Sequence, residues 1–297
     1  MDSAIAQLRY AFRQFRNSPV FTATAVLTLA LGIGGTTAIF SLMHAIMLRS
    51  LPVANPASLY RIGEGNECCM EGGPQDQWGM YSYPLFERFR QNLPEFEEVA
   101  GFQAGPNDMS VRRQVEQIAA ARNTEYVTGN YFSTFGIRPF AGRLMSAEDD
   151  LPSATPVAVL SYRTWQMQYG EDPTVLGSTF VIEGHPFTII GITPPGFYGE
   201  TLRANPPDLW IPLQQEPLIS GPGTLLHQPI TSWLRVIGRA RPGANLQPVG
   251  PRLTTMLRQW LKSDAGFPSN WASAIEQSLP NQTIRIVSAG SGVAAMK

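Results

Sequence analysis

Residues 17–48 read NSPVFTATAVLTLALGIGGTTAIFSLMHAIML, a run of 32 positions without a formal charge in which only His44 is ionisable. Its apolar centre, Val20 to Met47, holds Phe21, Val26, Leu27, Leu29, Leu31, Ile33, Ile39, Phe40, Leu42 and Met43. About 20 such residues carry a helix across a ~30 Å hydrocarbon core. At about 1.5 Å per residue this run crosses and still projects beyond the bilayer. A secretory signal is the competing reading, but its apolar region runs about 7–15 residues and ends at a small-residue cleavage site. Nothing resembling Ala-x-Ala follows Met47. The run therefore predicts a retained transmembrane helix over 18–48.

Arg9, Arg13 and Arg16 precede this helix and Arg49 follows it. The excess of arginine on the first side places the N-terminus in the cytoplasm and the rest of the chain outside it. Ile5, Leu8, Phe12 and Phe15 recur at helical spacing, with the arginines on another face. Residues 1–17 thus read as an amphipathic helix lying on the inner leaflet. The plainer alternative is a basic flank that only orients insertion. Within the membrane run, Ala30, Gly34 and Ala38 fall four residues apart, and Thr28, Gly32 and Thr36 repeat this on a neighbouring stripe. Small residues at this spacing let two helices approach closely. The alternative is a lone anchor with incidental glycines. A packed helix requires a partner helix from elsewhere, because these residues contain no second uncharged stretch of that length.

Charge separates the two parts of the chain. Residues 1–49 hold four arginines against Asp2, a net of +3, while the whole 297 residues sum to −1. Charged side chains make up 15 % and hydrophobic ones 43 %. That balance excludes a basic nucleic-acid binder and a disordered chain. Lysine occurs only at 262 and 297 and no Gly-Lys pair exists, so the chain has no Walker A loop.

Residues 49–288 read as a mixed α+β body. Leu59–Ile62 predicts a strand. Ser82 to Asn92 predicts a helix, with Ser82 able to cap it, Pro84 tolerated in the first turn and Phe86, Phe89 and Leu93 forming its apolar stripe. Gln114–Val127 predicts a strand, and 128–136 a short helix ended by glycine. Pro156–Leu160 predicts a buried strand, followed by a helix from Ser161 to Tyr169 stopped by Gly170. Thr179–Ile182, Glu183-Gly184 and His185–Ile192 form the clearest hairpin. Asp208–Leu213 and Trp233–Ala240 predict strands, Val249–Leu261 an amphipathic helix, and Thr283–Val287 a last strand. Residues 289–297, rich in Gly, Ala and Ser, predict a flexible tail.

Catalytic signals are missing. His44, His185 and His227 are isolated, and His-Glu-x-x-His, Cys-x-x-Cys and Gly-x-Ser-x-Gly do not occur. The reading assigns no catalytic, cofactor-binding or metal-binding residue. Glu148-Asp149-Asp150 reads as a helix first turn or a solvated loop rather than a calcium site. Cys68-Cys69 are adjacent, so mutual pairing is disfavoured by the planar peptide. Pairing with another chain and an unpaired loop feature both remain open.

These landmarks stand in a familiar order. The opening LRYAFRQFR (8–16), SPVFT (18–22) and AVLTLALGIG (25–34) resemble the N-terminus of MacB-like ABC-transporter permeases, in particular the duplicated orphan permease subgroup common in acidobacteria. SYP (82–84), VTGNYF (127–132), GRL (142–144), PVAVLS (156–161) with Trp165, GHPFTIIGI (184–192) with PGF (195–197), and GR (238–239) with PG (242–243) resemble that family's periplasmic core domain. The resemblance implies a first transmembrane helix, then a periplasmic core of two mixed α/β lobes, then FtsX-like membrane helices. These 297 residues do not include the last block, so the expectation is a truncated or partial permease subunit. It implies an inner-membrane protein without a cofactor. The lipid bilayer, other permease helices, a separate ABC ATPase subunit and a periplasmic adaptor would be its partners. Its work would be mechanotransmission, meaning that the ATPase closes and the helices convey the motion outward. Two other classes fit less well. A free-standing single-pass binding or receptor domain would tolerate Gly34→Leu. A membrane-tethered hydrolase would need an acidic pocket that the sequence does not offer.

Overall fold

The computed structural model describes residues 19–47, 53–64, 78–113, 118–289 and 293–294. The chain divides into two units, Met1–Arg49 and Ser50–Lys297.

In the first unit, helix α1 spans Pro19–Met47. Proline is tolerated at its first position because that N–H has no helical partner. Leu31 is 75 % exposed and Val20 79 %. The helix is apolar all round, with no charged face to turn toward water, as a membrane helix must be. It is the one helix among the described residues long and apolar enough to cross a membrane, over Pro19–Thr37 at a mean hydropathy of 1.5. The expected amphipathic helix over 1–17, with Arg9, Arg13 and Arg16, lies outside the described residues, as do Cys68 and Cys69.

The second unit is built on one sheet. Its strands are β1 (Leu59–Glu64), β2 (Phe96–Gln103), β3 (Asn107–Arg112), β4 (Ala120–Val127), β5 (Ala141–Gly142), β6 (Val157–Leu160), β7 (Thr179–Ile182), β8 (His185–Ile192), β10 (Leu209–Pro212), β11 (Leu234–Ala240) and β12 (Arg285–Ser288). Two further short strands, β9 (Thr201–Leu202) and β13 (Val293–Ala294), pair with each other in parallel. The sheet has two halves. In one, β4-β10-β6-β8-β7-β3 returns to β4 and closes a six-stranded ring. Closure removes the edges that a flat sheet would expose. In the other half, β2-β11-β1-β12 form an open antiparallel sheet, joined to the ring where Phe102 of β2 pairs with Val127 of β4. Both halves belong to the one unit Ser50–Lys297.

Alternation fills the ring. Met109 and Val111, Phe180 and Ile182, Phe187 and Ile189, Ala158 and Leu160, and Leu209 and Ile211 all join the same buried cluster. The residues between them on β6 and β10, Val159 and Trp210, are also buried, in a second cluster on the outside of the ring. Such strands read as continuous apolar runs, which explains why PVAVL was legible as a buried strand. Helix α2 (Tyr83–Gln91) and helix α6 (Val249–Gln259) add Leu85, Phe86, Phe89, Val249, Leu253 and Leu257 to the first cluster. Helix α3 (Tyr131–Phe135) adds Tyr131, Phe132 and Phe135 to the second. Helices α4 (Tyr162–Tyr169), α5 (Glu216–Ser220) and α7 (Ala272–Ser278) complete the set.

Local signals mark their elements well. Ser161 caps α4 by accepting from the Thr164 amide, and Gly170 ends it at φ 59. Glu183 (φ 47) and Gly184 (φ 84) make the tight turn between β7 and β8, a left-handed pair that favours glycine at the second place. Several expectations need correction. Ser82 sits at the N-cap of α2 but its side chain makes no capping bond. The strand expected from Gln114 begins at Ala120, with 114–117 outside the described residues. Helix α6 stops at Gln259 and continues as a wider π turn through Asp264, so Trp260 and Leu261 follow it rather than belong to it. Part of the tail expected to be flexible is tied down: Ala289 is buried, its amide donates to the Leu59 carbonyl at 2.8 Å, and Val293–Ala294 form β13. Strands β2 and β3 were not anticipated.

Candidate functional site

The small residues expected to pack against another helix all fall on helix α1. Ala30, Gly34 and Ala38 lie one turn apart on one side and Thr28, Gly32 and Thr36 on the adjoining side. The Thr28 hydroxyl donates to the Thr24 carbonyl at 2.8 Å, and the Thr36 hydroxyl to the Gly32 carbonyl at 2.8 Å. Both hydroxyls are thereby satisfied within the helix, which lets them sit in hydrocarbon. A methyl group built on Gly32, Gly34 or Gly35 meets nothing within 4 Å. Thr28, Ala30, Gly32, Gly34 and Thr36 are exposed, and the side chain of Ala38 lies outside the described set.

The body holds a polar cluster that the sequence reading missed. Glu125 of β4 is fully buried, and the Trp210 indole N–H donates to its Oε2 at 3.1 Å. Glu200 lies in the irregular stretch between β8 and β9. Its Oε2 accepts from the Tyr131 hydroxyl at 2.7 Å, and its Oε1 from Arg203 at 2.7 Å and from the Thr201 hydroxyl at 3.1 Å. Arg203 also faces Glu125 Oε1 at 3.6 Å. Burial, and then the charge of Glu200, push the Glu125 carboxyl well above the usual range. Burial likewise raises the Tyr131 phenol, helped by Glu200 and Glu125. Burial and the Glu200 charge outweigh Arg203, the Trp210 hydrogen bond and Arg235, so Glu125 favours its acid form. The cluster ties the stretch from Thr193 to Pro207 onto β4, β10 and α3. No motif announces it, because Glu125 within AARNTEYV reads as an outward strand residue.

The acidic run resolves into separate duties. Residues Ala147–Asp150 form a single 3-10 turn, the first-turn reading given to it. Asp149 caps that turn through the Ser146 amide and pairs with both arms of Arg143 at 2.6 and 2.7 Å, which holds its carboxyl below the ordinary value. Asp150 accepts from the amides of Gly129 at 3.0 Å and Gln214 at 2.9 Å. Burial outweighs those donors and lifts its carboxyl to about 6. His185 is half-buried beside the hairpin turn and His227 is exposed.

Clefts open on the body, two of which are well defined among the described residues. One, of about 340 Å³, is lined by residues that include Ser58, Glu97, Arg239 and Arg241. The other, of about 420 Å³, is lined by Ser153, Gln214, Pro217, Leu218 and His227 among others. Neither includes Glu125 or Glu200, so the perturbed carboxyl has no access to a substrate through them. Among the described residues no group of three or more His, Cys, Asp or Glu side chains could hold a metal ion.

Comparison with protein families matches residues 22–256 to the MacB-like periplasmic core domain. A comparison with curated proteins finds no match. Among solved structures, the chain is similar to the periplasmic region of MacB from Actinobacillus actinomycetemcomitans, at 15% identity and a TM-score of 0.49 over 79% of this chain and 90% of that one. It is similar to the extracellular domain of the noncanonic ABC-type transporter YknZ from Gram-positive bacteria, at 12% identity and 0.46 over 68% and 93%. It is also similar to a domain of a permease protein from Porphyromonas gingivalis, at 14% identity and 0.49 over 75% and 98%.

Proposed function

The chain belongs to the MacB-like periplasmic core domain family, and we propose on that premise that it is the anchored outer part of an ABC-transporter permease, acting by conveying motion rather than by catalysis. The observation that carries this is the span of the match, which takes in most of α1 as well as the greater part of the body. In this reading α1 crosses the inner membrane once, Arg9, Arg13 and Arg16 hold its start in the cytoplasm, and the body stands in the periplasm. The small-residue faces of α1 pack against other permease helices, and a separate cytoplasmic ABC ATPase supplies the work. A periplasmic adaptor would meet the body. Membership of the duplicated orphan permease subgroup belongs to the same reading. The closed ring supports it, since a sheet without free edges resists deformation when one end is moved.

The test is purification of the tagged full chain from its native membranes in mild detergent. An ATPase subunit bearing a Walker A sequence should accompany the wild type and be lost from Gly34→Leu, which places a branched side chain on the packing face. Recovery of wild type and variant alike without any such ATPase would sink the reading and favour the free-standing binding domain.

A further inference from the structure

Arg239 stands near the end of β11, opposite Leu59 across the β1–β11 pair. Its guanidinium makes four hydrogen bonds, all to neutral oxygens. Nε donates to the Thr134 carbonyl at 2.8 Å. One terminal nitrogen donates to the Ser58 hydroxyl at 2.6 Å and the Asn55 carbonyl at 3.3 Å. The other donates to the Ala54 carbonyl at 2.7 Å. Burial works against the charge of this arginine and nearby Glu97 works for it, with burial the larger effect. The four hydrogen bonds fix where this charge sits, and Glu97 supports it from nearby.

Two independent features close the same joint. The Ala54 amide donates to the Phe135 carbonyl at 3.1 Å. Gly136 follows at φ 62, and a Cβ there would stand 2.7 Å from the Ala54 methyl and 3.5 Å from Arg239. Only glycine lets the end of α3 come this near. Residues 53–58 are the first described ones after α1 in the sequence. Any load carried along the chain from the membrane helix must pass through them.

We propose that Arg239 is a clasp that makes residues 54–58 part of the sheet, so that load arriving along the chain enters the body at β11 and α3. The use of the clasp rests on the transporter reading, whereas its existence rests on the geometry alone. Arg239 is a positioning residue here. Without it the segment would stretch first and absorb the motion as slack.

Amide hydrogen exchange on the full chain in detergent tests this, because local opening is read residue by residue. Arg239→Gln should raise exchange at Ala54 and Ser58 by about tenfold or more, the loss expected of a charged donor with several acceptors. The β7–β8 hairpin amides should stay unchanged. Ser58→Ala, which removes a single acceptor, should give a smaller rise at the same two amides. Unchanged exchange at Ala54 and Ser58 in Arg239→Gln would overturn the clasp. An equal rise across the hairpin would overturn it too, since Arg239 would then be an ordinary structural residue. ATPase association is not read in this experiment, so its outcome and that of the transporter reading fail separately.

Discussion

Replacing Glu125 by Gln tests how the core holds its charge. Glu125 exposes nothing to water, and its one close hydrogen bond comes from Trp210 at 3.1 Å. Arg203 stands 3.6 Å away and is held more tightly by Glu200, at 2.7 Å. With burial and the Glu200 charge both raising its carboxyl, Glu125 favours the acid form. The substitution then swaps one neutral group for another of nearly the same shape, and the acceptor for Trp210 survives. Such a change costs about 1 kcal/mol or less. Were Glu125 instead a carboxylate paired with Arg203, its loss would strand a buried guanidinium and cost about 3–5 kcal/mol. Linkage gives a second readout. A carboxyl raised on folding stabilises fully below its unfolded value, and that contribution is lost as pH rises through the folded value. The wild type should therefore lose ground to Glu125→Gln as the solution is made more alkaline. Urea unfolding of the full chain in detergent, followed by tryptophan fluorescence over a pH series, measures both effects. Glu200→Gln is the companion, because it removes the charge that pairs closely with Arg203, and should cost about 3–5 kcal/mol. The reasoning fails if Glu125→Gln costs as much as Glu200→Gln at neutral pH and its gap to wild type does not change with pH.

Asp150 should show the same sign in a lower window. Its carboxyl rises from 3.8 to about 6 on folding, so stability present below the lower value drains away as pH climbs to the upper one. Two units correspond to about 3 kcal/mol, and the deficit of Asp150→Asn against wild type should shrink by that order across the window in paired unfolding titrations. A Cβ at Gly191 would lie 1.9 Å from the Arg143 carbonyl oxygen, where β5 crosses β8. Gly191→Ala should therefore cost about 3 kcal/mol or more, while Gly105→Ala, which meets nothing within 4 Å, should shift stability by no more than about 0.5 kcal/mol. Thermal melts of the two variants decide the comparison.

What could be read in advance follows a physical divide. The β7–β8 hairpin was legible to the residue because its turn is specified by two neighbouring positions, Glu183 and Gly184, and its strands by their own alternation. Helix α4 was legible because Ser161 and Gly170 bracket it. Strand β2 was not, since FEEVAGFQ is buried from Val99 to Gln103 on both faces and shows no period of two. Strand β3, NDMSVR, hides because only Met109 and Val111 turn inward while polar residues take the other face. The parallel β4–β10 pairing that closes the ring joins residues 124–127 to 209–212, and nothing local to either strand encodes that choice. The polar cluster hid for the same reason, since its parts come from β4, β10, α3 and the stretch after β8.

Under the proposed function, the cluster and the ring would answer one mechanical need from two directions. A body that passes on motion must not yield internally, and its weakest point would be the irregular stretch from Thr193 to Pro207, which has no regular backbone pairing beyond β9. Apolar packing alone would let such a stretch slide, because dispersion contacts have little directional preference. Directed bonds from Glu200 to Tyr131, Arg203 and Thr201 fix it in one register against α3. Buried ionic groups are a poor source of net stability but can specify one arrangement among several of similar energy. Tyr131 reaches that cluster with its hydroxyl while its ring packs at 4.9 Å from Phe135, whose carbonyl receives the Ala54 amide. Helix α3 therefore touches both the tethered stretch and the segment that follows the membrane helix in the chain. Under the proposed function, a load entering at the second would reach the first by a short route through the Tyr131–Phe135 ring contact, and a flexible loop in place of either tether would break it.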